Sequence, residues 1–138
     1  MAEYRGIEYL RRKLNTKRSR VLERYKYYEM KNAMRDFNIT MPEKFRYLNE
    51  VLGWSAKAAD SIADRLVFRT FANDNFGMNE IFDLNNRDIL FDSAVLSATI
   101  SSCCFIYLSN DETGNTRMQV IDGANATGII DPITGMLK

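Results

Sequence analysis

Apolar residues recur at helical spacing from Ile7 to about Ile100, then give way to short runs of β-formers. Ile7 to Asn15 is expected to form a short helix. A second helix is expected from about Ser19 to Asp36, with Val21, Leu22, Tyr25, Tyr28, Ala33 and Phe37 at helix-like intervals. The stretch from Asn38 to Pro42 interrupts it, because the residue before a proline is pushed out of the α region. The clearest helix is GWSAKAADSIADRLV. Ser55 is placed to cap its start, and Ala58, Ala59, Ile62, Ala63, Leu66 and Val67 make one apolar stripe. VFRTF then reads as extended, up to the polar break Asn73-Asp74-Asn75. From Met78 to about Ile100 the helical pattern returns, in two pieces meeting near Asn85-Asn86.

Beyond this point the period changes. CCFIYLS, TRMQVID and TGII are short β-prone runs separated by NDETGNT and GANA. They read as consecutive antiparallel strands. Helices first and strands last give an α+β fold, with N-terminal helices packed on a small antiparallel β-meander. The segment Asp131-Pro132-Ile133-Thr134-Gly135 is a turn signal that normally hands the chain to a returning strand. Only Met136, Leu137 and Lys138 follow it, so the meander reads as cut and these residues are expected to fray or to pair with another molecule.

A chain of 138 residues suits one domain, and a globule of that size buries about two-thirds of its unfolded surface. The net charge of +1 conceals an asymmetry. Residues 1–35 hold eleven Lys/Arg against four Asp/Glu, while residues 36–138 hold eight against fourteen. Within the one domain, a basic helical arm is expected over 1–50 and a helix-plus-meander core over 51–138. Such a split suits contact with a polyanion, or two halves of an assembly meeting. The N-terminus has no apolar core of a secretory signal. Ser93 to Asn110 carries no charge but is broken by serines and threonines, and reads as a buried helix end running into a buried strand of a soluble protein. The adjacent Cys103 and Cys104 would point to opposite faces of a strand, and read as reduced thiols.

The chain has no histidine, which excludes His-dependent nucleophile relays and zinc sites. Its glycines do not form a phosphate-cradling loop, and NDETGNT lacks the spacing of a calcium loop and reads as a hairpin turn. Asp60/Asp64 and Asp88/Asp92 are carboxylate pairs at i,i+4, which can run acid–base chemistry or bind a metal when a shared cleft shifts their pKa values, but they read as solvated helix faces. No enzymatic activity, cofactor or metal is expected. Trp54, the single tryptophan, reads as packing at the mouth of the best helix. The strongest local feature is RRKLNTKRSR, whose Arg11, Arg12, Lys13, Lys17, Arg18 and Arg20 are the candidate contacts to DNA or to an assembly partner. Tyr25, Tyr27 and Tyr28 lie nearby, at spacing suited to packing.

The order of these features resembles the N-terminal wing region of the portal proteins of long-tailed bacteriophages, over roughly residues 18–135. The residues that carry the resemblance are Tyr27-Tyr28, then Trp54, Ala59, Ile62 and Ala63, then Asp64-Arg65-Leu66-Val67, the junction NEIFDLNNRDILFD, and Asp131-Pro132 with Thr134-Gly135. The family pattern carries Gly two residues after the tyrosine pair, where Met30 stands. It also carries Gly entering the first meander strand, where Ser101, Ser102 and Cys103 stand. The resemblance implies a truncated portal chain, a non-enzymatic structural part of a ring of about twelve copies at one capsid vertex. Its implied partners are its own copies, capsid and scaffold proteins, terminase and head–tail connector proteins, with double-stranded DNA passing through and no membrane. The implied location is the virion, and the host cytoplasm during assembly. The competing expectation is a small nucleic-acid-binding protein that uses the basic N-terminal helices.

Overall fold

The computed structural model describes residues 6–31, 52–134 and 136–137. Four helices and one antiparallel strand pair occupy these residues: α1 Gly6–Tyr28, α2 Trp54–Ala63, α3 Met78–Leu84, α4 Arg87–Ser101, β1 Cys104–Asn110 and β2 Thr116–Asp122. The fold is α+β, with helices packed against an antiparallel sheet. Ala33, Phe37 and the Asn38–Pro42 interruption lie outside the described residues.

The two expected N-terminal helices are one. Between Asn15 and Ser19 the chain has neither Gly nor Pro, and the Thr16 hydroxyl donates to the Arg12 carbonyl at 3.0 Å, so a polar stretch read as a break continues the helix. One side of α1 turns inward through Leu10, Leu14, Val21, Tyr25 and Tyr28, and Val21 is almost wholly buried. The helix stops in a Schellman-type cap: the Lys31 N–H reaches the Lys26 carbonyl at 2.9 Å while Met30 takes the left-handed conformation, φ 57°.

Helix α2 starts behind Gly53, with no side-chain cap, so Ser55 lies within the helix rather than capping it. Its small face meets α1 and α4, and Ala59 is buried there. The expected stripe is cut at Ala63, leaving Leu66 and Val67 exposed. The chain leaves the helix to bring Phe68 and Phe71 into a ring cluster with Phe82 and Phe91, at centroid separations of 4.9 to 5.6 Å. Each such pair adds about 0.5–1.5 kcal/mol beyond its burial. Trp54, expected in packing, is 75% exposed.

The extended segment is pinned by Asn79, whose Oδ1 accepts from the Phe71 N–H at 3.0 Å and from the Thr70 hydroxyl at 3.0 Å. Asp74 in the polar break caps α3, accepting the Met78 and Asn79 N–H groups at 2.7 Å each. Helices α3 and α4 meet at Asn85-Asn86, as the pattern indicates, with Asn86 left-handed at φ 54°. Asparagine tolerates that conformation better than most residues.

Helix α4 supports the hairpin, contributing Leu90, Ala94, Ser97, Ile100 and Ser101 to the interior. Strands β1 and β2 pair from Cys104↔Asp122 to Asn110↔Thr116. The turn between them is built on Asp111, whose Oδ1 accepts from the Thr113 hydroxyl and from the Thr113 and Asn115 N–H groups, while Oδ2 takes the Arg117 guanidinium at 3.0 Å. From Ile106 to Asn110, β1 is exposed, so the uncharged stretch is buried in its helix and open in its strand.

The third run, TGII, forms no strand against β2. Ile130 instead makes a single bridge with Leu137, across the turn that starts at Asp131. The Asp131 N–H donates to the Met136 carbonyl at 2.8 Å. Met136 and Leu137 are therefore paired within the chain. The outer edge of β2 is already occupied by the Asn85 carboxamide, which accepts from the Met118 N–H and donates to the Thr116 carbonyl, both at 2.9 Å.

Candidate functional site

Helix α1 carries all six candidate cations, and the fold sorts them. Arg12, Lys13, Lys17 and Arg20 line one groove of about 570 Å³, joined by Arg24 and by Ser102 from the turn between α4 and β1. Arg11 and Arg18 do not line it. At 100° per residue they lie across the buried stripe from Lys13, Lys17, Arg20 and Arg24, roughly half a turn from Arg20 and about a third of a turn from Arg12. The basic run thus divides between the groove and a second flank of the helix.

Three groove cations are tied to distant parts of the chain. Lys13 Nζ donates to the Gly128 carbonyl at 2.8 Å, and Lys17 Nζ lies 2.7 Å from Cys103 Sγ. Arg24 Nη1 donates to the Ser102 hydroxyl. These bonds fix long side chains that would otherwise lose entropy on contacting a ligand. An ammonium group has three donors and a guanidinium five, so each tied head keeps free N–H groups. Among the described residues, none of the five groove cations or Arg11 and Arg18 is in an ion pair. The groove floor is apolar, built on Val21, with Tyr9 at one end.

Beneath the groove, the α4–β1 turn is held by Ser101, which is fully buried. Its hydroxyl is shared between the Ser97 and Cys103 carbonyls and accepts from the Gly123 N–H at 3.3 Å. Ser102 follows in the left-handed region at φ 71°. Burial first, then its neighbour Cys103, pushes the Cys104 thiol above the ordinary range. Both cysteines are free.

The carboxylate pairs do not form a site. Asp60 accepts a hydrogen bond from the Tyr28 hydroxyl at 2.8 Å, which fastens α1 to α2. That bond, followed by burial and the charges of Asp60 and Asp64, raises the Tyr28 pKa. Asp88 and Asp92 are exposed, and no cluster of three potential metal ligands occurs among the described residues. Tyr25 packs toward α4, its hydroxyl 3.4 Å from the Ser97 hydroxyl. No described helix is long and apolar enough to cross a membrane.

Arg24 and Ser102 are the groove residues that the sequence pattern misses. Arg24 continues the i,i+4 series from Arg20, which is a usable signal. Ser102 has none, because its place depends on how α4 turns into β1. No family model, curated protein or solved structure matches this chain.

Proposed function

We propose that this chain is a structural, non-enzymatic part of the wing of a bacteriophage portal ring, serving as a docking platform for its own copies and for capsid, scaffold, terminase and connector proteins around the DNA conduit. One backbone observation supports the reading. The resembled pattern carries glycine at two places where this chain does not, and both contain a left-handed residue: Met30 at φ 57° and Ser102 at φ 71°. Glycine is the residue that such positions favour, because the left-handed region costs other residues roughly 1–2 kcal/mol. The backbone therefore takes the form that the resembled glycines would serve, although the residues differ.

Large apolar side chains at the surface agree with a subunit that is covered on assembly. Trp54, Phe76 and Ile133 are 75%, 88% and 90% exposed. Exposed side chains of this size are the kind that an assembly interface covers. Immunogold electron microscopy of particles from the source phage, with an antibody to this chain, tests the proposal. Gold at one vertex per particle is expected. Gold over all vertices, or particles without the protein, would overturn it.

A further inference from the structure

We infer that the α1 groove binds the phosphodiester backbone of nucleic acid, independently of base sequence, through Arg12, Lys13, Lys17, Arg20 and Arg24. The groove brings five cations and no carboxylate to one concave surface. From Lys13 to Arg24 the cations recur at intervals of three or four residues. They form a line about 17 Å long at 1.5 Å per residue. One strand of a duplex presents a phosphate every 3.4 Å or so along its axis, about five over that length. Those four cations, with Arg12 beside Lys13 at one end, set the groove's five cations against about five phosphates over that span.

The remaining chemistry favours the same occupant. Lys13, Lys17 and Arg24 are anchored through Gly128, Cys103 and Ser102, so their heads are ordered before a ligand arrives. Arg12 and Arg20 form no side-chain bond among the described residues and remain available at the rim. An acidic protein surface is the competing occupant. The i,i+4 carboxylate pairs of this chain, Asp60/Asp64 and Asp88/Asp92, offer two charges each, and Asp60 is engaged by Tyr28. They do not supply a run of five negative charges. The phosphodiester backbone supplies it on any sequence.

The test uses the purified full chain and does not depend on the portal reading, since a portal subunit without this property and a groove binder outside any capsid give different results. Fluorescence-anisotropy titrations are made with two labelled DNA duplexes of unrelated sequence, and with labelled polyglutamate. With five phosphate contacts, affinity for either duplex falls roughly 500-fold between about 50 and 200 mM salt. The double variant Arg12→Ala/Arg20→Ala leaves three contacts, and the fall shrinks to roughly 40-fold. The double variant Arg11→Ala/Arg18→Ala removes the same charge from the other flank and keeps the wild-type salt slope. Circular dichroism melts check that both variants fold.

Three results would overturn the inference. One is no duplex binding at low salt. Another is an equal change of slope in the two double variants, which reduces binding to net charge. The third is polyglutamate binding as tightly as DNA, which assigns the groove to an acidic protein.

Discussion

The carboxamide of Asn85 lies against the backbone of β2 and accepts the Met118 N–H at 2.9 Å. Its amide nitrogen donates to the Thr116 carbonyl at 2.9 Å and to the Ile81 carbonyl at 2.8 Å. One side chain thus ends α3 and closes the edge of a strand more than thirty residues away. Asn85→Ala leaves these groups unpaired and is expected to cost about 2 kcal/mol. Asn85→Asp keeps an acceptor for Met118 but turns carboxylate oxygen toward two carbonyls, so it is expected to be at least as damaging at neutral pH. Urea denaturation of the three proteins measures this, and wild-type stability in Asn85→Asp would refute it.

Met30 occupies a left-handed cap position at φ 57° with half its surface exposed. Met30→Gly relieves the backbone and is expected to stabilise the fold by about 1 kcal/mol. Ser102→Gly relieves φ 71° but removes the hydroxyl that holds Arg24, so its gain is expected to be smaller. Thermal melts rank the two variants. A lower melting temperature for Met30→Gly would contradict this account of the cap.

Gly123 sits where a β-carbon would lie 3.0 Å from Cys103 Sγ, 3.1 Å from the Ser101 hydroxyl and 3.2 Å from the Cys103 carbonyl. The last of these is backbone and cannot swing aside. Gly123→Ala is therefore expected to cost about 1–3 kcal/mol through overpacking. It should also disturb Ser101, visible as a shifted Gly123–Ser101 neighbourhood in amide spectra. An Ala variant as stable as wild type would show that this junction yields.

Much of this fold was legible from residue pattern. The α3–α4 junction stood out because Asn85 and Asn86 interrupt an apolar helical pattern, and the β1–β2 hairpin because DETG separates two β-prone runs. The unity of α1 was not legible: a solvated, basic run reads as a break unless it is noticed that no residue in it opposes helix. The missing third strand was not legible either. TGII has strand composition, but the β2 edge it would need is filled at Thr116 and Met118 by Asn85, the residue that caps the end of α3. The groove shows the same division. Four of its cations were visible as a cluster, but their separation from Arg11 and Arg18 required the orientation of α1, and their anchors lie at Ser102, Cys103 and Gly128.

Acid sensitivity should centre on two turn carboxylates. The Thr113 hydroxyl first, then the Asn115 and Thr113 N–H groups and Arg117, outweigh partial burial and hold Asp111 at about 2. The Asn79 N–H, with help from Met78, Phe76 and the Asn79 side chain, likewise lowers Asp74. A carboxyl with a depressed folded pKa stabilises the fold above its unfolded value of roughly 3.9 and loses that contribution as pH falls through the folded pKa. Denaturant midpoints are therefore expected to drop between about pH 4 and pH 2, and less steeply in Asp111→Asn. Identical profiles for variant and wild type would remove Asp111 from the account.

The bond from Lys13 to Gly128 spans 115 residues of chain. During synthesis, α1 leaves the ribosome long before its anchor exists, and at 5–20 residues per second the interval is on the order of ten seconds. Until α2 and α4 have followed it out, the apolar stripe of α1 has no cover, and its basic residues are accessible to the RNA phosphates of the ribosome itself. Docking onto the later segments then withdraws the stripe and leaves the lysines and arginines in their final arrangement, so nascent and mature forms present different faces to polyanions.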